Sequence, residues 1–111
     1  MDTSAMTFVT DETFDEVVGK SALPVLFVMG ATWCPDCQRI APLRMMLAKE
    51  NAGKILFARA DFDSAQGLKE RFHVRSIPTL FIIRSGQVLD TLVEPKSIAP
   101  VKAFIEKALE D

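Results

Sequence analysis

Trp33-Cys34-Pro35-Asp36-Cys37 contains both cysteines of this 111-residue chain, three positions apart. The string follows an apolar run, Val25-Leu26-Phe27-Val28-Met29, and precedes a segment with Ile40, Leu43 and Leu47 at helical spacing. Two thiols therefore stand where a strand hands over to a helix. A helix start favours the thiolate, and the thiolate is the form that attacks disulfides. A dithiol placed there is suited to disulfide exchange.

Two other uses of the pair are weaker. As a structural staple it closes a loop of only four residues, worth roughly 2 kcal/mol by chain entropy before strain. A chain of this size with 49% apolar residues can bury an ordinary core without it. As a metal or iron–sulfur ligand set, two thiolates with no nearby histidine make half a tetrahedral site, so a metal module would have to be a dimer. His73, the one histidine, reads as a loop residue, and the five methionines read as core filler.

The flanking pattern supplies the frame. Phe8-Val9 reads as a short strand, followed by a helix capped by Thr10 or Asp11 with Phe14, Val17 and Val18 on one face. Val25 to Met29 is a strand apolar on both faces. The helix after the motif should kink at Pro42 and end at Ala52-Gly53. Ile55 to Asp61 alternates as a strand, and Ser64 can cap a helix running to Phe72. Thr79 to Ile83 and Val88 to Val93 form a hairpin around Ser85-Gly86. Ser97 can cap a last helix with Ile98, Val101, Ile105 and Leu109 facing inward and Pro100 in its first turn. The order βαβαβαββα predicts an α/β sandwich, helices on both faces of a mixed sheet. Without repeat, linker or low-complexity tract, residues 1–111 read as one domain.

Charge and hydropathy exclude other classes. Net charge is −2 with no basic stripe, which argues against nucleic acid and anionic membrane surfaces. Met1-Asp2-Thr3-Ser4 lacks the basic and apolar regions of a signal peptide, and no apolar run reaches the ~20 residues of a membrane helix. The expectation is a cytoplasmic monomer.

With these residues in hand the chain resembles the thioredoxin family over nearly its whole length. Trp33 to Cys37 matches the family's Trp-Cys-x-x-Cys, Pro42 its helix proline, Ile77-Pro78-Thr79 its Ile-Pro-Thr with a cis proline, and Gly86 its hairpin glycine. The resemblance implies the thioredoxin fold and a protein-disulfide reductase that works without a bound cofactor and is recharged by a reductase such as thioredoxin reductase. It makes Cys34 the exposed nucleophile and Cys37 the buried resolving thiol. Pro78 would bring the Ile77 backbone near the sulfurs, where it can hydrogen-bond a substrate strand. Trp33 would cover the dithiol, and Phe62, Thr79, Val93 and Glu94 would line the groove.

Three departures qualify the resemblance. The family's buried aspartate in the strand before the motif is replaced by Val28, while Arg59 stands where a lysine is usual. The dipeptide between the cysteines is Pro35-Asp36 rather than Gly-Pro. Asp36 disfavours a neighbouring thiolate and should make the couple more reducing, and it is a candidate proton acceptor for Cys37. Glu94, followed by Pro95, replaces a groove glycine, which should narrow the rim and the range of substrates. Small thioredoxin-related proteins with Cys-Pro-Asp-Cys look similar and act on fewer substrates. The alternatives are an oxidant or isomerase of the same fold, a glutaredoxin-like role, or the dimeric metal module.

Overall fold

A computed structural model describes residues 6–110. Its centre is a five-stranded sheet of β1 (Met6–Phe8), β2 (Val25–Gly30), β3 (Leu56–Asp61), β4 (Thr79–Arg84) and β5 (Gln87–Val93). The strand order is β1-β3-β2-β4-β5. The first three strands are mutually parallel, β4 runs antiparallel to β2, and β5 antiparallel to β4. The sheet is mixed because a hairpin closes one edge, as the Ser85-Gly86 turn predicts.

β2 is central and buried along its length, so its side chains alternate between two apolar layers. Val25, Phe27 and Met29 meet Phe14, Val18, Leu68 and Phe81 on one face. Leu26 and Val28 meet Ile40, Leu47, Val101 and Ile105 on the other. The second layer is built by α1 (Pro35–Glu50) and α3 (Ile98–Glu110), the first by α2 (Gln66–Arg71) and a short π-helical turn, Asp15–Gly19. This is the three-layer sandwich of the thioredoxin fold.

Two capping expectations are overturned. Neither Thr10 nor Asp11 caps the segment at Phe14. Thr10 N–H instead donates to Thr13 Oγ1 at 2.9 Å. The Asp11 carboxylate crosses to α2, accepting from Gly67 N–H at 3.0 Å and Leu68 N–H at 2.9 Å. Ser64 does not cap α2 either, because its hydroxyl is taken by Asp61 Oδ2 at 3.1 Å. Two of the free amides at the start of α2 are thus satisfied from a loop more than 50 residues away. Gly67 is needed for this: a Cβ there would stand 2.9 Å from Asp11 Cγ. The first helix shortens to one turn, while its apolar face persists, with Phe14 and Val18 buried. α1 runs as one helix through Pro42 and ends before Asn51.

Candidate functional site

α1 begins at the motif. Cys34 is its N-cap, and Pro35 takes the first helical position, where a missing N–H is harmless. The Cys37 N–H donates to Cys34 Sγ at 3.2 Å, so the sulfur occupies the place of a capping oxygen. Opposite it lies the carbonyl of Ile77, 3.8 Å from Cys34 Sγ. The Ile77–Pro78 peptide is cis. Cys34, Cys37, Ala31 and Ile77 form one small apolar cluster. Gly30 closes it from below, where a Cβ would stand 3.1 Å from Cys37 Sγ.

Cys34 was expected to be exposed. It is only 4% exposed, less than Cys37. The reason is the cap: a sulfur turned inward to receive the Cys37 amide, under the Ile77 carbonyl, gives up solvent. What marks Cys37 is its charge environment. Burial, then the neighbouring Cys34, push its thiol up to about 12, while the Ala31 backbone and the Arg44 charge act the other way.

Asp36 is engaged rather than free beside the sulfurs. One oxygen is held by Arg39 and the other by Lys96 Nζ at 3.1 Å. Lys96 also pairs with Glu94 at 3.1 Å. The Lys96 hydrogen bond first, and Arg39 after it, hold the Asp36 carboxyl below the usual carboxylate range. Glu94 and Asp36 together raise Lys96. In this arrangement Asp36 is a poorer proton acceptor than the sequence suggested, because two cations stabilise its ionised form.

Thr79 opens β4, is buried, and pairs in register with exposed Val93 of β5. Glu94 N–H donates to Pro78 O at 2.8 Å, tying the end of the hairpin to the proline. Its φ is +46°, in the left-handed region that a glycine enters most easily. Trp33 is 60% exposed, and its indole N–H donates to Asp63 Oδ2 at 2.6 Å. Phe62 is not packed into the cysteine cluster. It lies against the Phe27 layer, with Lys69 Nζ 4.3 Å from its ring centre.

Sequence reasoning missed Gly30, Arg39, Arg44, Asp63 and Lys96. Arg44 had a signal: Cys37, Ala41 and Arg44 fall at i, i+4 and i+7, one stripe of a helix whose neighbouring positions are core. Arg39 had one too, as the i, i+3 partner of Asp36 on the same helix, whereas Gly30, Asp63 and Lys96 meet the site through tertiary contacts. Among the described residues no group of three or more His, Cys, Asp or Glu could hold a metal ion. No described helix is long and apolar enough to cross a membrane.

The thioredoxin family model matches residues 5–107. Thioredoxin of Haemophilus influenzae is 41% identical over 90 residues, 81% of this chain and 84% of that protein. Thioredoxin of Allochromatium vinosum is 38% identical over 98 residues, covering 88% and 92%. Thioredoxin 1 of a Nostoc species is 35% identical over 106 residues, covering 96% and 99%. With a dithiol at the head of α1 and an Ile-cis-Pro facing it, the chain belongs to the thioredoxin family of thiol–disulfide oxidoreductases.

Proposed function

We propose that this chain reduces disulfides in proteins, with Cys34 as nucleophile and Cys37 as resolving thiol. The observation that carries the reading is the Cys37 N–H aimed at Cys34 Sγ at the start of α1. An N–H and the positive end of a helix both favour negative charge on that sulfur. Cys34 thiolate attacks one sulfur of the substrate disulfide, and the other leaves as a thiolate that takes a proton from water. Cys37, on losing its proton, attacks Cys34 Sγ and releases the second substrate thiol. The substrate gains two electrons, and the enzyme is left with a Cys34–Cys37 disulfide for a reductase of the thioredoxin-reductase kind to reduce.

The Ile77 carbonyl beside Cys34 can accept from the backbone of an extended substrate. Pro78, Thr79, Val93 and exposed Trp33 then form the apolar walls of its groove. Glu94, in a backbone conformation that suits glycine and tied through Lys96 to Asp36, narrows one rim, so the substrate range is narrower than that of a typical thioredoxin. Asp36 makes the couple more reducing. The chain acts as a cytoplasmic monomer in electron transfer to disulfides and needs no further cofactor.

The test is the reduction potential of the Cys34–Cys37 couple, by equilibration against defined dithiol buffers. A value at or below the cytosolic poise supports the reductase, and Cys37→Ser should then accumulate mixed disulfides with client proteins. A clearly more oxidising value overturns it in favour of an oxidant or isomerase.

A further inference from the structure

Beneath Cys37 lies a cleft of about 200 Å³, with Gly30, Thr32, Gln38, Arg44 and Arg59 among its other walls. Arg44 is 4% exposed, and its Nε has no hydrogen-bond partner. Arg59 Nε is buried and likewise unpartnered. The outer part of the Arg59 guanidinium rests on the ring of Phe8, its Cζ 5.3 Å from the ring centre. Register explains the meeting: Arg59 pairs with Val28 across the sheet and so points to the α1 side, where the Cys37–Ala41–Arg44 stripe faces it.

Two cationic side chains therefore share one cleft, and Val28 puts an apolar side chain where a carboxylate would balance them. Among the described residues neither arginine makes an ion pair with an acid. A buried charge left without a counter-charge is costly, and guanidinium groups are the protein's preferred anion receptors. The cleft has room for a small anion and several waters, each water taking about 30 Å³.

We propose that this cleft is an anion site, in which Arg44 and Arg59 hold one small monovalent inorganic anion beneath Cys37. The mutual repulsion of the two arginines fits this: burial, and next the charge of Arg59, lower Arg44 to about 10, and a bound anion would relieve both. The site does not depend on the redox reading, since it is present with both cysteines as thiols.

Chloride is the probe. The full chain is kept reduced at neutral pH with an uncharged dithiol, and ionic strength is held constant by exchanging gluconate, too bulky for the cleft, for chloride. Chlorine-35 NMR should show line broadening that saturates and is lost in Arg44→Met and in Arg59→Met, but kept in Lys54→Met, a surface control. The melting temperature of the parent should rise as chloride replaces gluconate, and that of folded Arg44→Met should not. Broadening that fails to saturate, or that Arg44→Met and Arg59→Met both retain, overturns the site. If one variant does not fold, the other decides.

Discussion

Arg44→Met tests what a buried guanidinium does beside the Cys37 thiol. Met keeps the aliphatic stem and nearly the same helix propensity, so the change removes mainly the charge. Burial of Arg44 lowers its pKa to about 10, with the charge of Arg59 adding to the effect. At ~1.4 kcal/mol per unit, the charged form costs the folded state roughly 3.5 kcal/mol as an upper figure. Water in the cleft reduces this, so Arg44→Met should be more stable than the parent by about 1–3 kcal/mol, the range seen when buried charges give way to apolar groups. Urea unfolding of the reduced proteins measures it. The folded pKa lies below the unfolded one, so the penalty is fully present below about 10 and vanishes only well above it. The difference between variant and parent should therefore be flat from pH 6 to 9. If chloride fills the cleft, the difference should be larger in gluconate than in chloride. A variant less stable than the parent by about 1 kcal/mol or more refutes the reasoning, because Arg44 would then be making a net favourable interaction.

The same substitution should slow the chemistry. Arg44 is a cation acting to lower the Cys37 thiol, against the burial that raises it to about 12. Each unit by which the variant raises Cys37 cuts its thiolate tenfold but increases nucleophilicity about threefold, so the resolving step slows roughly threefold per unit. A mixed disulfide between Cys34 and a chromophoric aryl thiol, followed by stopped flow, isolates that step. Release at the parental rate would mean that Arg44 does not act on Cys37.

Other parts of the site make their own predictions. Gly30→Ala puts a Cβ 3.1 Å from Cys37 Sγ, and should cost about 1–3 kcal/mol in urea unfolding while displacing the resolving sulfur. Asp11→Ala removes both caps of α2, and should cost about 1 kcal/mol with faster amide exchange at Gly67 and Leu68. Glu94→Gly relieves a left-handed backbone at φ +46° and should stabilise by up to about 1 kcal/mol. It also opens the rim, so reduction of a model protein disulfide should become faster. Asp36→Asn should make the couple more oxidising. Because Lys96 and Arg39 hold the Asp36 carboxyl below the ordinary carboxylate range, titration of Asp36 itself should contribute no pH dependence between pH 6 and 9. An unchanged resolving rate in this variant would remove Asp36 as proton acceptor.

What was legible in the sequence was what local spacing encodes. The dithiol at a strand-to-helix junction, the continuous apolar run of β2 and the hairpin glycine are each fixed within a few residues, as is most of the inward face of α3, although Ile98, expected to face inward, is 46% exposed. Caps were not legible. Thr10, Asp11 and Ser64 were expected to cap the helices beside them, but Asp11 reaches α2 across the fold and could not be paired with Gly67 from spacing, and the cap at Cys34 was not foreseen. Exposure of Cys34 was expected from the family resemblance, which does not fix which way the sulfur turns. Here the capping atom is a sulfur turned inward. The Asp36–Lys96–Glu94 chain of charges needs the end of β5 to come beside the start of α1, and nothing local in the sequence says so.

These charges divide the site into two unlike halves. On the substrate side, Asp36, Lys96 and Glu94 alternate in sign, and Arg39 adds a second cation on Asp36. Carboxylates and cations nearly balance there, in solvent that screens them. Behind Cys37 the balance fails: two arginines face one cleft, and the position that could have held an acid is Val28. An acid at that position would act on Cys37 by taking its proton. Cations act on the thiolate instead, lowering its energy after the proton has left by another route. The two devices leave different marks. A base gives a resolving rate that titrates with the carboxyl, while a cation lowers the thiol itself and leaves the rate rising tenfold per pH unit until Cys37 ionises. A resolving rate in the parent that climbs without a plateau from pH 6 to 9 would fit the cations. A plateau near neutrality would require a base that this constellation does not contain.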